Sequence, residues 1–415
     1  MPVKKKILFV ANYPDQPTGY ARIAYRLSNF LASLPGMEVY YFGFNNYPER
    51  RIKRGIHPDI HFIDVIQESN RIGSNDIYGK SIIVSVMNDI RPDILFIYND
   101  IVVICNLFNS LLKIKNTIKY RTIVYLDLVY QYEKPEYIRH VDNNSDMIIV
   151  FSDCWRRHLI QMSVDPSKID VIYHGLDEGH FYPIDVSDAR HVFGFSENDF
   201  IILNTNNNSY RKAHDISIRA FLQFLKKQGC PTHIKLFINC CMKTNAGYDI
   251  LSLIEVECIR LGLSLTNIIN NNIITMSTPG YIDDTTMNYL YNACDIGINT
   301  ALGEGFGLCN LEHGSVGKPQ VVSAVGALAD IFSDEIAILI KPVCTLAVSN
   351  HTDDHGGLLE ICRSEDFADA LETYFLDKNR RITTGEKCRQ HILETYNWEN
   401  ILKKFGNIIK KIADV

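Results

Sequence analysis

Short runs rich in Val, Ile and Leu return again and again along this 415-residue chain, with amphipathic stretches between them. Lys6–Ala11, Val39–Phe44, Ile60–Asp64, Ile94–Tyr98, Thr122–Leu126, Met147–Phe151 and Ile169–Tyr173 are of strand length and mostly apolar, without polar alternation. A strand apolar on both faces belongs in a sheet covered on both sides, so the expected fold class is α/β with parallel sheets. Gly19–Leu34 shows the other half of the pattern: Ile23, Leu27, Phe30, Leu31 and Leu34 recur at helical spacing.

The alternation pauses over 174–198, a stretch rich in Gly, Asp and Pro, then restarts. Its second series is Phe200–Thr205, Ile234–Asn239, Ile273–Met276, Ile296–Thr300, Gln320–Ser323 and Ala337–Ile340. Two sheet-bearing domains are therefore expected, over 1–173 and 191–396, joined by a linker at 174–190. Residues 397–415 hold a last helix, Trp398–Ala413, amphipathic through Ile401, Phe405, Ile408 and Ile412.

Composition removes several classes of function. The chain is 46% hydrophobic and 22% charged, which is ordinary for a globular protein. Residues 1–170 carry 21 Lys+Arg against 18 Asp+Glu, so the whole-chain net charge of −6 leaves the remainder at −9, unlike a nucleic-acid binder. Arg50-Arg51-Ile52-Lys53-Arg54 and the Lys113, Lys115, Lys119, Arg121 group are read as solvated faces; contact with an anionic membrane or acceptor is the other reading. The apolar start ends at Ala11, too short for a secretory signal, and no apolar run is long enough to span a bilayer. The eleven cysteines are scattered without metal-ligand spacing. The expectation is a cytoplasmic protein with reduced thiols and neither cofactor nor metal.

Chemistry concentrates in Asn299-Thr-Ala-Leu-Gly-Glu304-Gly305-Phe306-Gly307-Leu308-Cys-Asn-Leu-Glu312. A strand runs into a glycine loop and then a helix beginning near Gly307. Such a helix start points unpaired N–H groups and a positive dipole end at an anion. Glu312, more than one turn into the helix, suits two ribose hydroxyls; Glu304, in the loop, suits sugar hydroxyls. A pure packing role for the glycines is the bland alternative. Arg211-Lys212 follows the first strand of the second domain, at the kind of strand end where open α/β sheets bind ligands. Alone, such a pair is usually just surface; beside the glycine loop it suits a diphosphate. No Asp-x-Asp triplet, the usual holder of a divalent cation on a diphosphate, occurs anywhere.

Glu304 to Glu312, with Gly317-Lys318-Pro319 after it and Tyr291-Asn-Ala-Cys-Asp295 before it, resembles the EX7E motif of retaining glycosyltransferases of family 4 (group 1). Val171–Asp177, with Phe181 and Pro183, is similar to that family's linker, and Asp15-Gln-Pro-Thr-Gly19 to its N-terminal glycine loop. Among members, the overall likeness is to enzymes of large DNA viruses of algae. The resemblance implies the GT-B fold: two Rossmann-like domains facing across a cleft, the last helix crossing back to the first domain. It implies Arg211, Lys212, Glu304 and Asp127 as catalytic residues. Donor contacts would come from Gly19, Arg211, Lys212, Tyr281, Ile282, Glu304, Gly305, Phe306, Gly307, Leu308 and Glu312. The activity implied is metal-independent transfer of a sugar, with retention, from a nucleotide sugar to a glycan or other hydroxyl acceptor. GDP-mannose is the favoured donor and UDP-sugars come next. Three departures stand out: Asn206-Asn207 where the family often has Gly-Arg, Ala213 after Lys212 where it often has glycine, and Asp127 where many members carry histidine. His174 and His313 read as packing or linker residues. A nucleotide-sugar epimerase of the same fold and a non-catalytic nucleotide-sugar-binding protein are the alternatives.

Overall fold

The structure is a computed structural model that describes residues 4–47, 49, 52–276, 282–348 and 354–413. Each run expected to be a strand is one, and the central ones are covered on both faces. The first sheet contains β1 (Lys5–Asn12), β2 (Met37–Phe44), β3 (Ile60–Asp64), β4 (Ile94–Asp100) and β5 (Arg121–Asp127). After a short strand β6 (Gln131–Glu133), which lies elsewhere, it is completed by β7 (Met147–Val150) and β8 (Ile169–Val171). Its order is β3-β2-β1-β4-β5-β7-β8, all parallel. The second sheet contains β9 (Phe200–Asn204), β10 (Ile234–Ile238), β11 (Ile273–Thr275), β12 (Ile296–Asn299), β13 (Gln320–Ser323) and β14 (Ala337–Ile340). Its order is β11-β10-β9-β12-β13-β14, again all parallel. Central strands such as Ile7–Ala11 and Ile201–Leu203 are buried on both faces, which is why their sequences lack alternation.

In each sheet the strand order reverses at one point, between β1 and β4 in the first and between β9 and β12 in the second. Loops leaving neighbouring strands diverge to opposite faces there and open a crevice at the strands' C-terminal ends. The helix Trp398–Ala413 returns to the first sheet, where Phe405 stacks edge-on at 5.1 Å from Tyr125 and lies 6.2 Å from Phe96.

A third, antiparallel sheet was not foreseen. It joins β15 (Cys344–Ala347) and β16 (Gly356–Ile361) to β6, pairing Gly356 with Glu133 and Leu358 with Gln131. Strands from the two ends of the chain thus share one ladder. Val129, Tyr130, Val348 and Leu359 form a small apolar cluster beneath it. Of the basic groups, Arg50 and Arg51 lie outside the described residues, while Lys115 bonds Asn144 and Arg121 bonds Asp146.

Candidate active site

β9 and β12 are neighbours, so the loops that follow them meet although they are far apart in sequence. Thr300 Oγ1 donates to Ala213 O (2.9 Å) and Leu302 N to Arg211 O (2.8 Å), lacing the two loops together. The ammonium of Lys212 then reaches the Glu304 carboxylate directly. Arg211 Nη1 donates to Gly303 O at 2.7 Å and lies 3.7 Å from Glu304 Oε1. Gly307, at φ 95°, turns the chain into the helix Leu308–Ser315; Asn310 N and Leu311 N donate to Gly307 O at 3.1 and 3.2 Å, which leaves the N–H groups of Leu308 and Cys309 to point out of the helix start. Two cations and a helix N-terminus therefore face one crevice.

The loop after β1 forms the opposite wall. Arg54 fixes it, with its N–H on Asp15 Oδ1 (3.0 Å) and Nη1 on Gln16 O (2.9 Å), and Thr18 caps the helix Gly19–Ser33. A Cβ on Gly19 would sit 2.9 Å from Leu308 Cδ1, so the absence of a side chain lets the walls close on each other. Asp127 ends β5 beside Gly305, where a Cβ would overlap its carboxylate. Tyr20 donates to Asp127 Oδ2, and Oδ1 is buried without a hydrogen-bond partner. Burial dominates there, and against the pull of Tyr20 and Arg211 it pushes the Asp127 carboxyl up to about 7. In this setting Asp127 keeps a proton well above the ordinary carboxylate range.

Glu312 holds a contact that sequence reasoning missed. Its Oε1 takes the guanidinium of Arg22 and its Oε2 accepts from Tyr291 at 2.9 Å. Arg22 also bonds Asp284 at 2.8 Å and lies over the Phe181 ring at 5.2 Å. Trp155, fully buried, donates its indole N–H to Gly305 O at 2.9 Å, pinning the glycine loop from the first domain. Arg22 did leave a signal. A cation in the first turns of a helix opposes the dipole, and such a position asks for an external carboxylate. Phe306 is buried against His174 at 4.8 Å, and His313 stacks on Tyr291 at 5.2 Å; burial pushes both histidines down to about 3, as packing residues. Ile282 is half-buried just before the cap of the helix Asp284–Ala293, and Tyr281 lies outside the described residues.

The two motif carboxylates differ. Burial works against ionising Glu304, but Lys212 and Arg211 outweigh it and hold the carboxyl below its usual range. At Glu312 burial prevails over Arg22 and Tyr291, and the carboxyl is raised. One is a fixed anion balancing the cations; the other is a carboxyl that gains from hydroxyl donors. Among the described residues no group of His, Cys, Asp or Glu could hold a metal ion, and all eleven cysteines are free thiols.

Ala213 carries a cost. It caps the helix His214–Lys227 at φ 47°, ψ 52°, left-handed backbone that costs a side-chain-bearing residue about 1–2 kcal/mol. Glycine relieves this while losing about 0.5–1 kcal/mol through its freer unfolded chain. Ala213→Gly is therefore expected to stabilise the protein by up to about 1 kcal/mol, read as a higher urea midpoint at unchanged slope.

The chain is similar to known proteins in sequence and in fold. Residues 200–375 match the family of group 1 glycosyl transferases. The matched segment holds Arg211, Lys212, Glu304 and Glu312. An uncharacterized glycosyltransferase of Methanocaldococcus jannaschii is 24% identical over 59% of the chain and 54% of its own length. A D-inositol 3-phosphate glycosyltransferase of Kribbella flavida is 25% identical over 61% of the chain and 54% of its own length. The chain thus spans about half the length of the curated relatives it matches. Sucrose-phosphate synthase from Thermosynechococcus elongatus superposes with a TM-score of 0.73 at 16% identity, covering 99% of both chains. Anabaena HepE in complex with UDP-glucose gives 0.70 at 16% identity, over 98% of this chain and 99% of that one. The fold is GT-B.

Proposed function

We propose that the protein is a retaining, metal-independent glycosyltransferase that moves a sugar from a nucleoside-diphosphate sugar to a hydroxyl. The observation that carries this reading is the convergence of Arg211, Lys212 and the Leu308 helix start on one crevice, with Glu304 among them. These groups suit the charge that grows on a departing diphosphate, the role a metal has elsewhere. The acceptor oxygen attacks the anomeric carbon on the face that the diphosphate leaves. The carbon–phosphate-oxygen bond breaks, and the acceptor proton passes to the leaving oxygen, giving a glycoside and a nucleoside diphosphate. No second carboxylate is needed as a nucleophile. GDP-mannose follows from the family resemblance, and UDP-glucose is the nucleotide sugar held in the HepE complex. The first domain takes the acceptor.

Incubation with labelled GDP-mannose and UDP-glucose in excess EDTA tests the reading: donor hydrolysis and transfer are expected to continue. No described helix is long and apolar enough to cross a bilayer.

Glu312 and Glu304 divide the donor between them. Ribose hydroxyls replace Arg22 at Glu312, so Glu312→Gln is expected to weaken free nucleoside diphosphate and intact donor alike, by about 1.5–3 kcal/mol. Glu304→Gln is expected to spare the free nucleotide and impair sugar transfer. Calorimetry with each ligand separates them, and the reverse pattern sinks the assignment.

A further inference from the structure

Arg22 fills a slot built from segments remote from its own helix. That helix, Gly19–Ser33, belongs to the first domain, yet the guanidinium ends among side chains of the second domain and the linker. Nη1 bonds Glu312 Oε1, Nη2 bonds Asp284 Oδ1 at 2.8 Å, and Cζ lies 5.2 Å from the centre of the Phe181 ring. Phe181 in turn meets Tyr291 at 5.6 Å, and the Tyr291 hydroxyl donates to Glu312 Oε2. The side chains of Arg22, Asp284 and Glu312 are 18%, 16% and 8% exposed, so this ion pair is little screened by solvent. Asp177, whose charge also reaches Glu312, is bonded by Arg26 one turn further along the helix and faces His180 at 3.1 Å. Arg22 is therefore the cation that answers both Glu312 and Asp284.

Both oxygens of Glu312 are taken, Oε2 by Tyr291 and Oε1 by Arg22. A ribose that donates two hydroxyls to this carboxylate needs Oε1 back. The exchange replaces a charge-assisted bond with a bond from a neutral hydroxyl, roughly half as strong, so it works against the incoming nucleotide. A site that is free for only a fraction of the time binds with an affinity reduced by that fraction.

We propose that Arg22 is an autoinhibitory occupant of the ribose subsite, one that competes with the nucleotide for Glu312 and favours departure of the nucleoside diphosphate after transfer. The proposal rests on the reading of Glu312 as the ribose carboxylate.

Calorimetry of GDP and UDP with wild type, Arg22→Gln and Arg22→Lys reads the competition directly. For whichever nucleotide the wild type binds more tightly, Arg22→Gln is expected to improve affinity roughly tenfold, as when a site free a tenth of the time becomes free throughout. Lysine keeps a positive charge beside the two carboxylates, which preserves the balance that folding needs, but has no fork to hold both. Arg22→Lys is expected to show a smaller gain of the same sign. In a Glu312→Gln background the gain from Arg22→Gln is expected to shrink to about twofold or less, because the carboxylate competed for is gone. A residue that merely ties the halves together would lower the urea midpoint and leave nucleotide affinity alone. Unchanged or weaker nucleotide binding in both Arg22 variants, or an equal gain with and without the Glu312 carboxylate, overturns the proposal. If neither GDP nor UDP binds any of these proteins, the assignment of Glu312 to a nucleotide falls as well, which distinguishes the two failures.

Discussion

Lys212→Met is expected to lower turnover by about 10²–10³ while donor affinity falls far less. The magnitude is that of removing one donor from a charge-stabilising site, about 3–4 kcal/mol, because the interaction strengthens as the leaving diphosphate gains charge. Methionine keeps the stem of a residue only 9% exposed and removes the ammonium that Glu304 holds. That removal leaves Glu304 buried with Arg211 at 3.7 Å as its remaining cation, so stability falls too, by roughly 3–5 kcal/mol for a broken buried pair. The two effects are separable. Lys212→Met with Glu304→Gln is expected to regain most of the stability and none of the turnover. Steady-state kinetics beside urea unfolding gives both numbers, and near-normal turnover in Lys212→Met would move the phosphate site elsewhere.

Asp127→Asn is expected to stabilise the protein at pH 8 and to do nothing below about pH 4. The folded protein holds the Asp127 carboxyl at about 7, against 3.8 for a free one. A carboxyl raised on folding favours the folded state only while protonated: wild-type stability is full below the unfolded value and falls as pH climbs through the folded one. Three pH units correspond to on the order of 4 kcal/mol at most. Asparagine keeps the shape and the acceptor for Tyr20 but has no proton to lose. The difference in melting temperature between variant and wild type should therefore open between pH 4 and 7 and stay level above. A difference that does not vary with pH would show that Asp127 is not the group responsible.

Legibility in the sequence followed burial. Strands covered on both faces carry unbroken apolar runs, so both parallel sheets could be read from residues such as Ile94–Tyr98 and Ile296–Thr300. β15 is exposed along its length, β16 is half-buried and β6 has three residues. None has a two-sided apolar signature, and β6 and β16 pair across more than two hundred residues. At the site, Glu304, Glu312, Arg211 and Lys212 were legible because each lies on a loop or helix whose start is marked by glycine or by a strand end. Arg22 was hidden inside a helix recognised only by its apolar stripe, on the face that stripe leaves out. Trp155 was passed over, although one of only two tryptophans in the chain is a natural anchor for a backbone carbonyl.

The ladder between β6 and β16 also limits how the two halves can part. Gly356 with Glu133 and Leu358 with Gln131 fasten the halves at one place, and the bridge of Leu176 to Asn397, with Gly175 packed on Trp398, fastens the returning helix to the linker at another. Sliding the halves directly apart breaks backbone pairing at the ladder, at about 1 kcal/mol for each bond. A relative motion that keeps both fastenings costs none of this pairing. Side-chain contacts such as Arg22 with Glu312 and Arg157 with Asp330 have no backbone pairing to hold them and yield first. The halves are thus stitched together by backbone at two places, and at Arg22 they are joined by side chains alone.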